Sequence, residues 1–518
     1  MPNLPVPGRE PAAGNPVAGG PGVVAGVDSS TQSCKVELRD AASGALLGTG
    51  RAPHPPATGP RSEQDPADWW TALRTAFGHA LDAAGLRGTE VRAVSVAAQC
   101  HGLVALGADG AVLRPAKLWN DTTSTPDLAR LRALVDAATW ARRTGSVPTA
   151  AFTIGKVAWL AHHEPENLRA LATILLPHDH LTFRLTGERV TDRSEASGTG
   201  YFDAAAGGGT GAYLPDLLEL VDPGKDWAST FPRVLGPSEA AGAVLPAVAA
   251  DLGLRPGTPV GAGGGDQHAA ALGLGVDPGD VTFSLGTSGV VFTPSTSPVH
   301  DGDGIVDGVA DMTGGYLPLV STLNAARVTD RFAAWLGVDA AGLGELALAA
   351  GPGTGPVLVA HLDGERKPDL PHARGLLAGL TSGTTREDLA RAAHEGVLLG
   401  LTSGLEHLRG NGVDTSGRVL VVGGGARSRA YRQLLADLLQ REVLLPDPVD
   451  ADEATARGAC VQAAAVATGV DVRKVRDAWR PRVAEATAPR PTDRDPRALH
   501  ALAAAANLGL GPPPGAPA

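Results

Sequence analysis

The chain has 518 residues, 43% of them hydrophobic, with 44 Lys and Arg against 55 Asp and Glu for a formal charge of −11. That length needs two domains, or three, each burying its own core, and the acidic balance excludes a nucleic-acid or anionic-membrane surface, which requires clustered Lys and Arg. Cys34, Cys100 and Cys460 stand far apart with no C-x-x-C spacing, a pattern that fits a reduced compartment and argues against a zinc site.

In chain order, residues 1–20 and 508–518 are Pro/Gly-rich and read as disordered tails. With no apolar signal core and no run of about 18 apolar residues, a cytoplasmic location is expected. An apolar strand over 23–28 ends in Asp28. The loop Ser29-Ser30-Thr31-Gln32-Ser33 leads into a second strand over 34–38 and, past a turn at 40–44, a third over 45–51. A helix over 65–86 follows, with Asp65 as cap, Pro66 in the first turn, and Trp69, Leu73, Phe77 and Leu81 on one face. A buried strand over 93–98 ends at Gln99-Cys100-His101-Gly102, and helices are expected over 153–160 and 166–176. The turn-rich stretch 251–259 divides a first domain, 21–257, from a second, 258–482, with 483–518 as a C-terminal extension. In the second, a strand over 281–284 turns at 285–289 and returns over 290–292. A long helix covers 386–408, and a strand over 418–422 enters Gly423-Gly424-Gly425 and a helix through Leu439. A strand over 443–445 and a helix over 453–468 complete the order. Strand, small-hydroxyl turn, strand thus occurs near the start of each half. Two halves built alike face each other across a cleft, each offering one phosphate-binding turn.

Residues 261–289 hold the most informative chemistry. A glycine run delivers Asp266, and the turn Gly286-Thr287-Ser288-Gly289 follows one short helix later. Glycine lets backbone N–H groups approach an anion, and Thr and Ser add hydroxyl donors. A carboxylate beside such a turn suits phosphoryl transfer to an alcohol, which needs a proton acceptor next to a phosphate cradle. Asp28, with Ser30, Thr31, Gln32, Ser33 and Lys35, offers an acid that orients Mg²⁺ through water, donors for phosphate oxygens and a lysine for charge. Gln99, Cys100 and His101 put polar groups at a strand end, where a sugar can be met. Cys100 and His101 are not a nucleophile–base pair, because adjacent strand residues point to opposite faces. Trp119 is an aromatic platform, with an amide at Asn120 and a carboxylate at Asp121 for gripping hydroxyls. Each of these segments alone reads equally well as an ordinary turn or capped strand end. The Gly423-Gly424-Gly425 junction is a nucleotide site, and it also supports a rival reading as a dinucleotide-binding enzyme, with Asp447 roughly 20 residues on. That rival has Ser428 where Gly or Ala belongs and leaves the duplicated turns unexplained. No Walker loop exists, since Gly155-Lys156 precedes Val157 and Gly224-Lys225 precedes Asp226.

In their order, these segments resemble the FGGY carbohydrate kinases from about residue 22 to about 480. The likeness rests on GVDSSTQSCK at 26–35, SEQDPADWW at 62–70, AAQCHG at 97–102 and LWND at 118–121. It continues through GGGDQHAAALGLG at 263–275, SLGTSGV at 284–290, GER at 364–366 and GGGARS at 423–428. The resemblance implies an α/β fold of two ribonuclease-H-like domains, as in actin-like ATPases, with sugar and ATP meeting in the interdomain cleft. It makes Asp266 the base that takes the proton from the sugar's terminal hydroxyl. Asp28 then acts through Mg²⁺, for which Asp266 is a second candidate ligand. Thr31 and Thr287, with Gly286 and Ser288, cradle phosphates, and Gly424, Gly425, Ala426 and Ser428 line the nucleotide. Cys100, His101 and Gln267 meet the sugar, with Asp121 in support. The implied activity is ATP-dependent phosphorylation of D-xylulose to its 5-phosphate. The alternatives are the ribulose, glycerol and gluconate kinases of the same family. Ser30 in place of a usual glycine, Cys100 in place of Met or Gln, and the Asp266-Gln267 pair depart from the common pattern. His101-Gly102 and the Trp-Trp segment favour D-xylulose. ATP and Mg²⁺ are the implied cofactors, the partners are small molecules only, and a monomer or homodimer is expected.

Overall fold

A computed structural model describes residues 22–57, 59–351, 355–370, 372–491 and 494–509. The expected N-terminal tail and the end of the C-terminal one lie outside the described residues. The first sheet contains β1 (Val23–Ser29), β2 (Ser33–Asp40), β3 (Leu46–Pro53) and β4 (Val91–Ala98). It is completed by β5 (Ala240–Ala243), β6 (Pro259–Gly261) and β7 (Gly264–Gly265). Its order is β5-β6-β4-β1-β2-β3, with β7 also on β4. The strands β1, β2 and β3 are antiparallel neighbours, whereas β4 runs parallel to β1 and β6 parallel to β4. Every β1 residue after Val23 is buried, as the centre of a sheet covered on both faces requires. One cover is α1 (Pro66–Ala84), which starts where the Asp65 carboxylate accepts the Ala67 N–H and lays Trp69, Leu73 and Phe77 on the sheet.

The second sheet contains β8 (Val281–Leu285), β9 (Gly289–Phe292), β10 (Leu319–Thr322), β11 (Val419–Val422), β12 (Val443–Pro446) and β13 (Val483–Thr487), in the order β10-β9-β8-β11-β12-β13. Without the antiparallel edge strands β5 and β13, both sheets have the order third, second, first, fourth, fifth. In each, an antiparallel meander is followed by two strands parallel to the first. The expected α/β fold of two like halves is therefore present in the topology. That topology also removes the dinucleotide rival, whose sheet is mostly parallel with the glycine turn after its first strand. Here the turn at Gly423 follows the fourth strand.

The helices α2 (Thr153–His163), α3 (Asp266–Leu274), α4 (Arg386–Gly410), α5 (Arg429–Leu439), α6 (Ala454–Thr468) and α7 (Arg497–Gly509) complete the main frame. The helix α4 opens on a capping box between Thr385 and Asp388. Late in the chain, α6 packs Ala459, Cys460 and Ala463 with Val24, Ala93 and Ala97 of the first sheet, so each half helps bury the other. Two expectations need correction. The helix expected over 166–176 stops at Ala170, and Thr173–Leu175 pairs as a strand with Val104–Leu106, an edge that β-branched Thr173 and Ile174 suit. The first sheet also runs past residue 257, because β6 and β7 pair with β4. Among the described residues no single helix is long and apolar enough to cross a membrane.

Candidate active site

Three parallel strands end side by side. In the register of the first sheet, Ser29 and Gly265 both lie opposite Ala98. Their continuations, Ser30-Thr31, Gln99-Cys100-His101 and Asp266, therefore emerge on one edge, the carboxyl ends of parallel strands where open α/β sheets bind ligands. In the second sheet Ser284 lies opposite Val422, which sets the turn at 286–288 beside the glycine turn at 423–425. Gly423 has φ 85°, and a Cβ there would lie 2.9 Å from the Leu285 carbonyl oxygen, so only glycine lets the two turns touch. Between the two edges lies a cavity of about 200 Å³. Its walls bring together Thr31, Cys100, His101, Trp119, Asp266 and Gln267 from one side with Ser288 and Arg366 from the other.

Asp266 is the first residue of α3 and is half-buried. Its Oδ1 accepts the Cys100 thiol at 3.2 Å and the Gln267 N–H at 2.8 Å. Burial pushes its carboxyl up to about 6, opposed by the thiol's hydrogen bond. Asp28 is 2% exposed. Burial pushes it up to about 7 against the pull of Lys35 and of Ser30, whose hydroxyl donates to Oδ1 at 2.5 Å. The Lys35 ammonium is 3.8 Å from Asp28 and 2.5 Å from Glu453, immediately before α6, so its charge is shared between two carboxylates from opposite halves. A buried carboxyl with so little compensating charge, carrying hard oxygen donors, fits a Mg²⁺ that arrives on nucleotide phosphates. Asp28 is the residue that would face it.

His101 lies beyond the end of β4 with φ 61°. That kink brings both Cys100 and His101 to the cavity, contrary to the opposite faces expected of strand neighbours. They still form no pair. The thiol goes to Asp266, and the imidazole Nδ1 sits 3.2 Å from Glu195 Oε1. The His101 main-chain N–H also donates to that oxygen. Thr153 donates to the His101 carbonyl at 3.1 Å, and Phe152 stacks on the ring at 5.2 Å. Glu195 is wholly buried. Burial alone would raise it, but His101, then His268 and His178, hold it down to about 2. Sequence reasoning missed Glu195, since nothing in its spacing points 94 residues back to His101.

The Trp119 indole donates to Thr31 Oγ1 at 2.9 Å and carries the Arg366 guanidinium over its ring at 5.2 Å, which joins the Ser30-Thr31 turn to the GER segment. Gln99 is buried behind this wall. It accepts from Thr31 at 3.3 Å and donates to Gln64, which also takes the Trp69 indole N–H at 2.8 Å. Thus Gln64 and Trp69 of the SEQDPADWW segment brace the Thr31 turn.

Other expected site residues are engaged elsewhere. Asp121 is wholly buried, and its oxygens accept from Ser62 N at 2.8 Å, Lys117 Nζ at 3.1 Å and Thr123 N at 2.9 Å. It holds its own loop together instead of meeting a sugar. Asn120 is half-buried and does not line the cavity. Gln32 is exposed, with its carbonyl accepting the His54 N–H at 2.9 Å. Ser33 is buried and accepts from Arg51 at 3.2 Å. Ser428 caps α5 by accepting the Tyr431 N–H. Thr287 and Gly424 are exposed at the cleft edge, Gly286 and Gly425 half-buried and Ala426 buried.

Two like lobes, each with a turn at the carboxyl ends of its parallel strands and a carboxylate between them, define a small-molecule kinase. Residues 23–273 match the N-terminal domain of the FGGY family of carbohydrate kinases and residues 281–467 its C-terminal domain. The chain belongs to this family and is a sugar kinase, a phosphotransferase with an alcohol acceptor. It is 45% identical over 460 residues to a xylulose kinase of Streptomyces coelicolor, covering 88% of this chain and 90% of that protein. It is 36% identical over 424 residues to the xylulose kinase of Escherichia coli, covering 80% and 84%. The crystal structure of xylulose kinase from Bifidobacterium adolescentis superposes with a TM-score of 0.82 at 40% identity, covering 93% of this chain and 99% of that one. A glycerol kinase from Plasmodium falciparum, at 19% identity and a TM-score of 0.81, shares the fold.

Proposed function

We propose that the chain transfers the γ-phosphoryl group of MgATP to the terminal hydroxyl of D-xylulose, giving D-xylulose 5-phosphate and ADP, with Asp266 as general base. The observation that carries this reading is the Asp266 carboxylate in the cavity wall, with Cys100, His101 and Gln267 around it and Thr31 and Ser288 nearby. The xylulose kinases among the relatives supply the sugar. A carboxylate raised to about 6 is a stronger base than one in water and is still ionised at neutral pH. It accepts the hydroxyl proton as the oxygen attacks phosphorus, and bond breaking leaves ADP. The ring of His101, held by Glu195 and Phe152, stands ready for a sugar oxygen. Mg²⁺ supplies charge neutralisation on the phosphates, and Asp28, steadied by Ser30 and Lys35, is the residue that would hold it. Closing the lobes excludes water, which otherwise competes as acceptor.

The test is ADP release from MgATP against a panel of D-xylulose, D-ribulose, gluconate and glycerol, with a sugar-free control. D-xylulose should give the highest kcat/KM by a wide margin, because a pocket built to pair hydroxyls rejects misfits strongly. Preference for another acceptor would overturn the sugar assignment, and sugar-independent hydrolysis would overturn the kinase reading itself.

A further inference from the structure

Beside Asp266, in the wall of the same cavity, Cys100 and His268 meet the buried Glu195, and the phosphoryl transfer calls on His268 not at all. We propose that Cys100, Glu195 and His268 form a binding site for a thiophilic divalent cation of the Zn²⁺ type, and that its occupancy inhibits the enzyme. One donor atom from each of these side chains lies within 4.8 Å of the other two. Glu195 is 0% and His268 2% exposed. Glu195 Oε2 and both ring nitrogens of His268 have no hydrogen-bond partner among the described residues. A buried polar atom left so costs roughly 1–3 kcal/mol, and a cation bound to it removes that cost.

The three donors also share a focus. A Cβ added at Gly265 would collide with Glu195 Oε2, Cys100 Sγ and His268 Nδ1 together. Only a glycine at 265 lets the three donors converge so close to the main chain. Thiolate, imidazole and carboxylate are together a zinc-type donor set, softer than Mg²⁺ selects. On binding, the metal–sulfur bond replaces the Cys100 S–H bond and the proton goes to solvent, while His268 binds neutral through Nδ1. The inhibition follows from position. Asp266 Oδ1 is 3.2 Å from Cys100 Sγ, so an ion on that sulfur takes away the thiol donor and sits against the base. Sequence spacing argued against a zinc site because the ligands come from three distant segments, the end of β4, the short helix Arg193–Ala196 and α3.

The full chain, stripped with a chelator and free of ATP and sugar, is titrated with Co²⁺ as a spectroscopic stand-in for Zn²⁺. One equivalent should bring up a thiolate-to-cobalt charge-transfer band that Zn²⁺ then bleaches. Cys100→Ser should abolish the band with Cys34 and Cys460 still in place. His268→Gln should weaken binding at least about 100-fold and raise the Zn²⁺ needed for inhibition to the same extent. Should His268→Gln fail to fold by circular dichroism, Cys100→Ser carries the test. No charge-transfer band in the wild type, or a band that survives Cys100→Ser, overturns the site. Equal Zn²⁺ inhibition of wild type and His268→Gln overturns the inhibitory role. The cobalt titration uses neither ATP nor sugar, so its failure is distinguishable from a failure of the kinase reading.

Discussion

The two lobes present the same strand edge to the cleft and furnish it differently. In the first, side chains fill the edge. Asp28, Gln99 and Glu195 are buried, and Thr31, Trp119, Gln99 and Gln64 bond to one another in a continuous chain. In the second, backbone does the work. Thr287, Ser288, Gly423 and Gly424 are exposed, and the turns are shaped by their glycines. On the proposed reading, with the sugar held mainly by the first edge and the nucleotide mainly by the second, the difference fits the ligands. A sugar is distinguished by the placement of its hydroxyls, which demands fixed side chains, whereas phosphates and a nucleotide are met by N–H groups that any turn of the right shape supplies.

Substitutions on the two edges should therefore fail in different ways. The largest effect is expected for Asp266→Asn, which keeps the shape and removes the base. Its kcat should fall by about 10²–10⁴ in an ADP-release assay, with an unchanged circular dichroism spectrum, and near-native turnover would take Asp266 out of the catalytic role. Next comes Glu195→Ala, which strips the buried partner from His101 and should cost about 3–5 kcal/mol in urea unfolding while raising KM for the sugar. Asp121→Asn, by contrast, should lose stability through Lys117 and leave KM for the sugar close to wild type, because that carboxylate serves its loop. A fourth change acts on the other edge. Gly423→Ala forces a methyl against the Leu285 carbonyl at a positive φ, worth about 1–3 kcal/mol, and should raise KM for ATP but not for the sugar. Equal rises in both would erase the division between edges.

The smallest effect concerns pH. Asp266 must be ionised to accept a proton, and its pKa is raised to about 6, so kcat/KM should be flat above that value and fall as pH drops through it. The Cys100 thiol bond favours the ionised form. Cys100→Ala should therefore raise the pKa and move the acid limb to higher pH, and a limb that moved to lower pH would contradict the hydrogen bond.

Much of this was legible in the sequence because it is local. Strand-turn-strand around Ser30-Thr31, the same unit around Thr287-Ser288, and the glycines at 423–425 are short-range signals of periodicity and turn chemistry, and the sheets assemble them as expected. Asp121 shows the limit. A carboxylate beside Trp119 and Asn120 looks functional in sequence, but Ser62 and Lys117, brought in by a neighbouring strand pair, claim its oxygens. Glu195 shows the reverse, a residue with no local signature that becomes the support of His101 and a neighbour of His268. Ser33 went to Arg51 on the neighbouring strand for the same reason, whereas Ser428 is spent locally as the cap of α5.

By itself, then, the sequence determined the duplicated α/β architecture, the two hydroxyl-bearing turns and the candidate base, because backbone propensity and glycine placement act over a few residues. Only the tertiary structure decided which polar side chains face the cavity and which are spent inside. Asp28 and Lys35, for instance, share a charge network with Glu453 of the other lobe. Burial and ion pairing of that kind are long-range properties, set when parallel strands from distant parts of the chain end at the same level.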